Sequence, residues 1–291
     1  MEKILKDLYF IIGASGNVGR EVLKNLLSRG ACVRVGTHNS KLIKDEKNIE
    51  YTTFDFNDSS TWDSCLIKVT KVFLIRPPHI SNIKRDMYPF IKHMKNYDIK
   101  QVIFLSVQKA ETNALIPHHK VEQIIKKLSI PYTFVRPSFF MQNLTTTHLK
   151  EIRDYNKLYI PAGKGKTNFI DVQDIGELIA TLFTNPKHIN KAYTVTGTKS
   201  FSYQEVANCL SNELGREIVY SDSTFFEFIL FHKRNSRKLG MILIMFILYS
   251  VIKSNHGDCT TSTLKILLER EPHSLESFIH ENKKLFITDT K

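Results

Sequence analysis

Three glycines near the start of the chain have the spacing of a phosphate-binding turn. Gly13, Gly16 and Gly19 follow the apolar run Tyr9–Ile12 at three-residue intervals. The first glycine permits a sharp turn, the second lets the backbone approach a pyrophosphate, and the third lets a helix pack close to the strand. The apolar residues that follow recur at helical spacing, so a bound anion would meet free amides at a helix N-terminus. The pattern predicts a dinucleotide site, with a purely structural turn as the alternative.

Residues after the second and third predicted strands could hold the adenosine end of a dinucleotide. No acid ends the second strand, Cys32–Val35, where many NAD enzymes place one for the ribose hydroxyls. His38 and Lys41 follow instead, and both could face the 2′-phosphate of NADP. Asp55 and Phe56, after the third strand, could bracket an adenine. The sequence therefore favours NADP over NAD, while a solvated loop is the alternative for His38 and Lys41.

Alternating strand and helix signals must position these residues. Apolar runs predict six strands, at 9–12, 32–35, 49–54, 71–75, 101–106 and 130–135. Arg76 and Pro77 follow the fourth strand and Ser106 ends the fifth, at the edge that faces the cofactor in a doubly wound sheet. The fold class predicted is α/β, a doubly wound parallel sheet of the Rossmann type with a smaller, mainly helical C-terminal lobe.

The pattern changes beyond residue 150, and a second lobe is predicted there. A short strand at Tyr193–Thr196 is expected to return to the main sheet, and Ser202 with Glu205 forms a capping box that begins a helix. Residues 223–287 are rich in Phe, Leu and Ile and look helical. We predict an NAD(P)-binding domain over 1–150, completed by 168–200. A mainly helical substrate or cap lobe over 201–291 is expected to be interleaved with it.

Leu239–Ile252 is the most apolar run of the chain. Its 14 residues fall short of a membrane span, so a buried helix is predicted and no spanning segment is expected. Contact with a membrane surface or a partner is the alternative.

The composition constrains partners and compartment. The 291 residues carry a formal net charge of +12, which would suit nucleic acid or an anionic surface. The lysines are scattered, with no long basic run, so no nucleic-acid partner is expected. The four cysteines lie far apart without a C-x-x-C spacing. They predict reduced thiols in a cytoplasmic protein, and no metal site is expected.

Five segments of the chain resemble one protein family. In chain order they are YFIIGASGNVGREVL, VFLIRPP, FLSVQKAETN, HHKVEQIIKKLSIPYTFVRPSFFMQNL and FIDVQDIGELIA. They look like the NmrA-like branch of the atypical short-chain dehydrogenase/reductase superfamily, and PYTFVRPSFFMQN is the most specific piece. The resemblance spans nearly the whole chain and implies a Rossmann-type fold that binds NADP(H) or NAD(H). Members include quinone and triphenylmethane-dye reductases, and redox-sensing regulators that bind the cofactor without turning over a substrate.

The resemblance also implies roles for individual positions. His38 falls where many relatives have an arginine, and Lys41 follows it, whereas Asp55 and Phe56 match the adenine segment. Pyrophosphate contacts are implied for Gly13, Ser15, Gly16, Asn17 and Val18. Ile75, Arg76 and Pro77 match the family's loop over the cofactor. Ser106 and Lys120 match the ribose and nicotinamide side of the site. The loop that lines the nicotinamide face is matched by Pro137, Ser138 and Phe139.

The proton donor of ordinary carbonyl-alcohol chemistry is missing from its expected place. Short-chain dehydrogenases pair a tyrosine with a lysine four residues later, and the lysine lowers the tyrosine pKa so that the phenol can exchange a proton. Tyr88 and Lys92 have this spacing, but they precede the fifth strand instead of following it. After that strand, Ile116 stands four residues before Lys120 and has no proton to give. Ordinary carbonyl-alcohol chemistry with a phenolic acid is therefore disfavoured, whereas hydride delivery to a conjugated acceptor, which needs little or no concerted protonation, stays open.

The leading hypothesis is an NAD(P)H-dependent reductase of a small aromatic or quinone-like acceptor. Lys120 could hold the ribose or an oxyanion, and His118 and His119 are possible proton donors, since imidazole titrates near neutrality. A solvated side chain is the alternative for Lys120, and a solvated or capping side chain is the alternative for each histidine. The second hypothesis is a cofactor-sensing regulator that acts by binding a protein, and a homodimer is also left open. A sugar-nucleotide epimerase is disfavoured by the missing tyrosine.

Overall fold

The computed structural model describes residues 7–38, 47–254 and 257–287. Its strands are β1 (Leu8–Ile12), β2 (Cys32–Thr37), β3 (Ile49–Thr53), β4 (Lys71–Ile75), β5 (Gln101–Leu105), β6 (Tyr132–Pro137), β7 (Phe139–Phe140), β8 (Lys157–Tyr159), β9 (Lys166–Ile170), β10 (Lys191–Val195), β11 (Ser200–Ser202) and β12 (Val219–Ser221). Its helices are α1 (Asn17–Ser28), α2 (Trp62–Leu66), α3 (Ile83–Asp86), α4 (Tyr88–His93), α5 (Pro117–Lys127), α6 (Leu149–Tyr155), α7 (Val172–Thr184), α8 (Tyr203–Leu214), α9 (Phe225–Arg234), α10 (Leu239–Lys253), α11 (Thr263–Leu268), α12 (Leu275–Glu281) and α13 (Lys283–Phe286).

The described residues pack as two compact units. The first is drawn from residues 1–137 and 172–194, and the second from 138–171 and 195–291. The chain therefore passes from one unit to the other after residues 137, 171 and 194. The assignment of a cofactor domain to 1–150 and a substrate lobe to 201–291 stays a prediction.

A seven-stranded sheet in the order β10-β6-β5-β4-β1-β2-β3 forms the centre of the first unit. The strands from β6 to β3 pair in parallel, and Ile11 of β1 lies opposite Val35 on β2 and Phe73 on β4. Strands β1 and β4 are almost entirely buried, as expected for parallel strands covered on both faces.

Neighbouring residues of β1 show how both faces are covered. The Tyr9 ring contacts Phe183 of α7, with ring centroids 5.4 Å apart. The Phe10 ring contacts Phe54 at 5.5 Å, within a core that includes residues of α2, α4 and α5. Because successive strand residues point to opposite faces, these contacts place helices on both sides of the sheet.

This architecture confirms the predicted doubly wound α/β fold, and all six predicted strands are present. Strand β6 begins at Tyr132 rather than at residue 130, because Pro131 has no N–H to donate to the ladder. The strand predicted at Tyr193–Thr196 is β10, which lies beside β6 at the edge of the sheet.

The second unit contains a three-stranded sheet, β11-β9-β7, and a two-stranded sheet, β12-β8. Its core combines aliphatic side chains with aromatic ones, among them Phe169, Phe228 and Phe278. The predicted capping box is confirmed at α8, where the Ser202 hydroxyl accepts from the Glu205 N–H at 3.2 Å and the Glu205 carboxylate accepts from the Ser202 N–H at 2.7 Å.

The prediction of a buried helix at Leu239–Ile252 is wrong for most of its surface. Helix α10 buries Ile242, Met245, Tyr249 and Ile252, which recur at helical spacing along one side. Its remaining large apolar side chains are exposed or half-buried. The prediction was wrong because the hydropathy of a segment depends only on its residue types, whereas burial depends on packing, and the fold covers only one side of this helix. Among the described residues, no helix combines the length and hydropathy needed to cross a membrane.

Candidate functional site

The turn between β1 and α1 is shaped by close contacts that only glycine allows. Gly13 has a φ of +77°, and a Cβ there would lie 2.1 Å from Cδ1 of Ile75. A Cβ on Gly19 would lie 2.1 Å from the carbonyl oxygen of Gly13. Gly16 is exposed, and its N–H donates to that same carbonyl oxygen at 2.9 Å. Gly19 therefore lets the helix pack against the turn, as the spacing predicted.

The N-terminus of α1 has the features of an anion site. Helix α1 begins at Asn17, no side chain caps it at Gly16, and no acid lies in its first turn. The first amides of a helix have no intrahelical acceptor, and the helix dipole favours a negative group beside them. The turn at the carboxyl end of β1 runs from Gly13 to Gly16 and includes the exposed Ser15, and the buried Val18 lies in the first turn of α1. This cradle fits a diphosphate.

His38 and Asp55 lie together at the ends of the adjacent strands β2 and β3. Nδ1 of His38 is 3.8 Å from Oδ2 of Asp55, and the two side chains are 68% and 40% exposed. Oδ1 of Asp55 accepts the N–H of Asn57 at 2.8 Å. His38 and Asp55 thus share one exposed corner of the sheet. Lys41 lies outside the described residues.

Phe56 is part of the core of the first unit. Its ring is 4% exposed and packs edge-on against Phe54 at 4.9 Å and Phe90 at 5.5 Å. The carbonyl oxygen of Asp55 beside it accepts from Nε1 of Trp62 at 2.8 Å. The tryptophan thereby fixes the backbone of this segment, while the adenine contact of Phe56 stays a prediction.

Arg76 is held by the loop that it belongs to. Its Nη1 donates to the carbonyl oxygens of Pro77 at 3.1 Å, Pro78 at 3.3 Å and Ile80 at 2.6 Å. Its Nε donates to Nε2 of His118 at 3.4 Å. Burial, followed by the charge of Arg76, lowers the pKa of His118 to about 3, so this imidazole is a neutral acceptor at physiological pH. The pair ties the loop after β4 to α5. Because Nε2 of His118 accepts from Arg76, the predicted role of His118 as a proton donor stays a prediction.

Ser106 belongs to a buried polar network. Its hydroxyl donates to Oε1 of Glu122 at 2.6 Å, and that carboxylate also accepts from Nε and Nη2 of Arg136 at 2.9 and 2.6 Å. Glu122 is fully buried, and Arg136 is also 3.3 Å from the carboxylate of Glu111. Because the Ser106 hydroxyl donates to Glu122, its predicted ribose contact stays a prediction. The sequence feature that could have indicated this network is Glu122 itself, an acidic residue on the apolar side of α5, three residues before Ile125.

The predicted chemical residues lie in the first turn of α5. Nδ1 of His119 is 2.6 Å from the carbonyl oxygen of Ala110. A carbonyl only accepts, so Nδ1 carries the proton and Nε2 remains for another partner. Lys120 is exposed, and no carboxylate of the described chain lies within ion-pair distance of it. Ile116 is the N-cap of this helix.

The residues predicted for the nicotinamide face fall in both units. Pro137 ends β6 in the first unit, whereas Ser138 and Phe139 begin the second. The Ser138 hydroxyl donates to Oδ1 of Asn168 at 3.2 Å, and Phe139 lies opposite Phe169 in the pairing of β7 with β9.

A second tyrosine-lysine pair with four-residue spacing, Tyr249 and Lys253, lies on α10. The hydroxyl of Tyr249 is 2.6 Å from Nε2 of His148, and burial raises its pKa above the usual value. Lys253 instead pairs with Asp222 at 3.2 Å. A phenol that is buried, paired and hard to ionise is a structural group. Over the described ranges, no set of three or more His, Cys, Asp or Glu side chains is placed to hold a metal ion.

Comparison with known proteins places these features in a family. The NmrA-like family matches residues 6–246. The chain is 31% identical to prestalk A differentiation protein A of Dictyostelium discoideum over 73% of its length and 71% of that protein. It is 28% identical to an NAD(P)H azoreductase of Xenophilus azovorans, over 73% of this chain and 76% of the enzyme.

The fold agrees with that of a solved reductase. The structure of an NADPH-dependent quinone oxidoreductase of Escherichia coli, complexed with NADPH, superposes with a TM-score of 0.85 at 18% identity. The match covers 94% of this chain and 99% of that one. With the family match over most of the sequence, the glycine turn and the doubly wound sheet, the chain belongs to the NmrA-like family.

Proposed function

We propose that this protein is an NAD(P)H-dependent reductase that transfers hydride to a small aromatic or quinone-like acceptor. The observation that carries the proposal is the uncapped N-terminus of α1 beside a turn in which Gly13 and Gly19 are sterically required. Such a terminus favours a diphosphate. The similarity to an NAD(P)H azoreductase, whose name indicates reduction of an azo compound, supports reduction of a conjugated acceptor.

The proposed cofactor contacts follow the carboxyl edge of the sheet. His38 and Lys41 would face a 2′-phosphate, which favours NADP over NAD, and Asp55 with Phe56 would hold the adenine. The diphosphate would be held by Gly13, Ser15, Gly16, Asn17, Val18 and Gly19. The remaining contacts are proposed for Ile75, Arg76, Pro77, Ser106, Lys120, Pro137, Ser138 and Phe139.

The protein's own contribution would be to orient the reactants and to handle charge. A bound dihydronicotinamide supplies the hydride. Lys120, exposed and without a carboxylate partner among the described residues, would hold the ribose or an oxygen that gains negative charge. His119 keeps one proton on Nδ1 for Ala110, so its Nε2 can take up a second proton and pass it on.

A direct test titrates the protein separately with NADPH and NADH by calorimetry and then measures NADPH oxidation with quinones, azo dyes and triphenylmethane dyes. We expect tighter binding of NADPH and turnover of at least one acceptor class. If neither nucleotide binds, the reductase proposal and the sensor alternative are both wrong.

Replacing Lys120 tests its chemical role. Lys120→Ala is expected to lower turnover at least about tenfold. Retained cofactor affinity would assign Lys120 to the developing negative charge, whereas a parallel loss of affinity would assign it to the ribose. Lys127→Ala, an exposed lysine at the other end of α5, is the matched control and should leave turnover unchanged. Unchanged turnover in Lys120→Ala would reject the role.

A cofactor-sensing regulator is the second candidate function. The N-cap of α5 is Ile116, so this helix has no phenol four residues before Lys120. The relative from Dictyostelium discoideum is also named for differentiation rather than for a reaction. Tight NADPH binding without turnover on any acceptor, together with a co-purifying protein, would favour this candidate.

A further inference from the structure

The second unit exposes an apolar surface that its own fold leaves uncovered. Ten of the seventeen exposed large hydrophobic side chains of the described residues fall between 225 and 251. They are Phe225, Phe226 and Leu230 of α9 and Leu239, Met241, Leu243, Ile244, Ile247, Leu248 and Val251 of α10. We call these ten residues the apolar face. Exposed apolar residues are normal when scattered, but a concentrated set marks an interaction site.

The geometry of α10 explains why the face is continuous. At 100° per residue, the exposed side chains cover roughly 200° of the helix circumference, opposite the buried stripe of Ile242, Met245, Tyr249 and Ile252. The rings of Phe225 and Phe246 lie 4.7 Å apart and join α9 to α10. Between Leu239 and Ile252 the helix carries no charged residue. The face is therefore apolar along the whole length of α10.

Positive charges lie at the end of this face. Lys233, Arg234 and Lys238 lie between the helices or at their ends and are exposed. Within the part of the chain that the structure describes, no carboxylate pairs with any of these three side chains. The one acid of α9, Glu227, accepts hydrogen bonds from Thr224 in a capping box. The apolar face is thus bordered by uncompensated cations.

We propose that the apolar face binds the surface of a membrane that contains anionic lipids. An apolar helix face bordered by Lys and Arg inserts shallowly among lipid headgroups, and the cations attract anionic lipid. Helix α10 has 15 residues and is about 22 Å long, less than the roughly 30 Å of hydrocarbon that a spanning helix must cross. It therefore lies along the surface.

Charge complementarity favours a membrane over a second copy of the chain. In a twofold dimer the same patch occurs on both partners. Lys233, Arg234 and Lys238 of one copy would therefore lie near the same three cations of the other copy. No acid within α9 or α10 is free to balance them, because Glu227 caps its own helix. Anionic headgroups supply the missing opposite charge.

The test measures flotation of the full-length protein with phosphatidylcholine vesicles, with and without added phosphatidylserine. We expect binding only when phosphatidylserine is present and weaker binding in added KCl, because salt screens exposed charges. The triple variant Lys233→Ala, Arg234→Ala, Lys238→Ala should bind about 100-fold more weakly, at about fivefold for each cation.

A second variant tests the apolar contribution. Ile244→Glu combined with Ile247→Glu should lower binding at least about tenfold, because two side chains can no longer enter the interface. Ile266→Glu, an equally exposed isoleucine on α11, is the matched control and should bind like the wild type. Circular dichroism checks folding, and if the isoleucine variant does not fold the triple variant decides.

Three results would overturn the proposal. The first is wild-type protein that stays in solution with phosphatidylserine vesicles. The second is equal vesicle binding by the wild type and both variants. The third is a dimer in light scattering that Ile247→Glu dissociates, without vesicle binding, which would assign the face to a second copy.

Discussion

The carbonyl oxygen of Gly13 occupies the space that a side chain at position 19 would need. The 2.1 Å separation from a Cβ there is far below van der Waals contact, and the obstacle is backbone. Gly13 itself meets Ile75 and has positive φ. Close contacts at single residues therefore couple the turn, the first helix and the end of β4.

Replacing Gly19 should damage both stability and cofactor binding. Gly19→Ala is expected to lower the free energy of unfolding by about 2 kcal/mol, because the turn must move to admit the methyl group. The displaced amides should lower NADPH affinity at least about tenfold. Urea unfolding and calorimetry measure the two effects.

Gly240 provides the control for that substitution. Nothing lies within 4 Å of a Cβ at this position in α10, so Gly240→Ala should be neutral or stabilising by up to about 1 kcal/mol. Equal losses in Gly19→Ala and Gly240→Ala would show that the close contact at the turn is not the cause.

His38 is expected to discriminate between the two nicotinamide nucleotides. His38→Ala should weaken NADPH binding about tenfold and leave NADH binding unchanged, since only NADPH carries the 2′-phosphate. His280→Ala, an exposed histidine of the second unit, is the control. A similar loss for both nucleotides would remove His38 from cofactor selection.

At the scale of elements, Glu122 joins β5, α5 and β6. Its carboxylate accepts from Ser106 and from Arg136 while fully buried. Burial lowers the pKa of Arg136, but the hydrogen bonds and charge of Glu122 outweigh that effect and leave the pKa above its usual value. The network positions the start of α5, where His119 and Lys120 lie.

Replacing the buried Glu122 should lower the free energy of unfolding far more than replacing the exposed Glu111. Glu122→Gln is expected to lower the free energy of unfolding by about 3 kcal/mol, because it leaves the buried Arg136 guanidinium with only the partly exposed Glu111 carboxylate as a counter-charge. Glu111→Gln removes the partner that is 39% exposed and should cost about 1 kcal/mol or less. Urea denaturation of both variants decides, and equal costs would contradict the burial argument.

At the scale of the whole molecule, each unit contains a histidine that the fold keeps neutral. Burial lowers the pKa of His118 in the first unit to about 3, and that of His232 in the second to about 4. Both lie below the 6.5 of an exposed imidazole, so the unfolded chain binds these protons more readily. Their stabilising contribution is complete above pH 6.5 and is lost as the pH falls.

The free energy of unfolding should therefore decrease below pH 6.5 and towards pH 4. Each histidine contributes a slope of up to about 1.4 kcal/mol per pH unit. His232→Phe keeps a ring beside Phe228 and should make the profile shallower. His280→Phe, at an exposed position, should not. Urea midpoints measured across this range test the prediction, and parallel profiles for the wild type and His232→Phe would refute it.

Much of the fold could be predicted because its signals are local. Apolar runs such as Lys71–Ile75 identify buried parallel strands, and Ser202 with Glu205 marks a helix start within four residues. The glycine spacing likewise predicted the turn before α1. The contacts of Arg76 with His118, and of Ser106 with Glu122, join residues far apart in sequence, and no local pattern reports them.

The sequence by itself determined the succession of the six predicted strands along the chain, the glycine turn and the absence of a phenol four residues before Lys120. Each of these depends on residue type and short-range spacing. Only the tertiary structure decided that the Ser106 hydroxyl is bound by Glu122, that His38 lies beside Asp55 and that α10 is covered on one side. The physical reason is that burial and pairing depend on which distant elements pack against a residue, and that packing is a property of the folded chain.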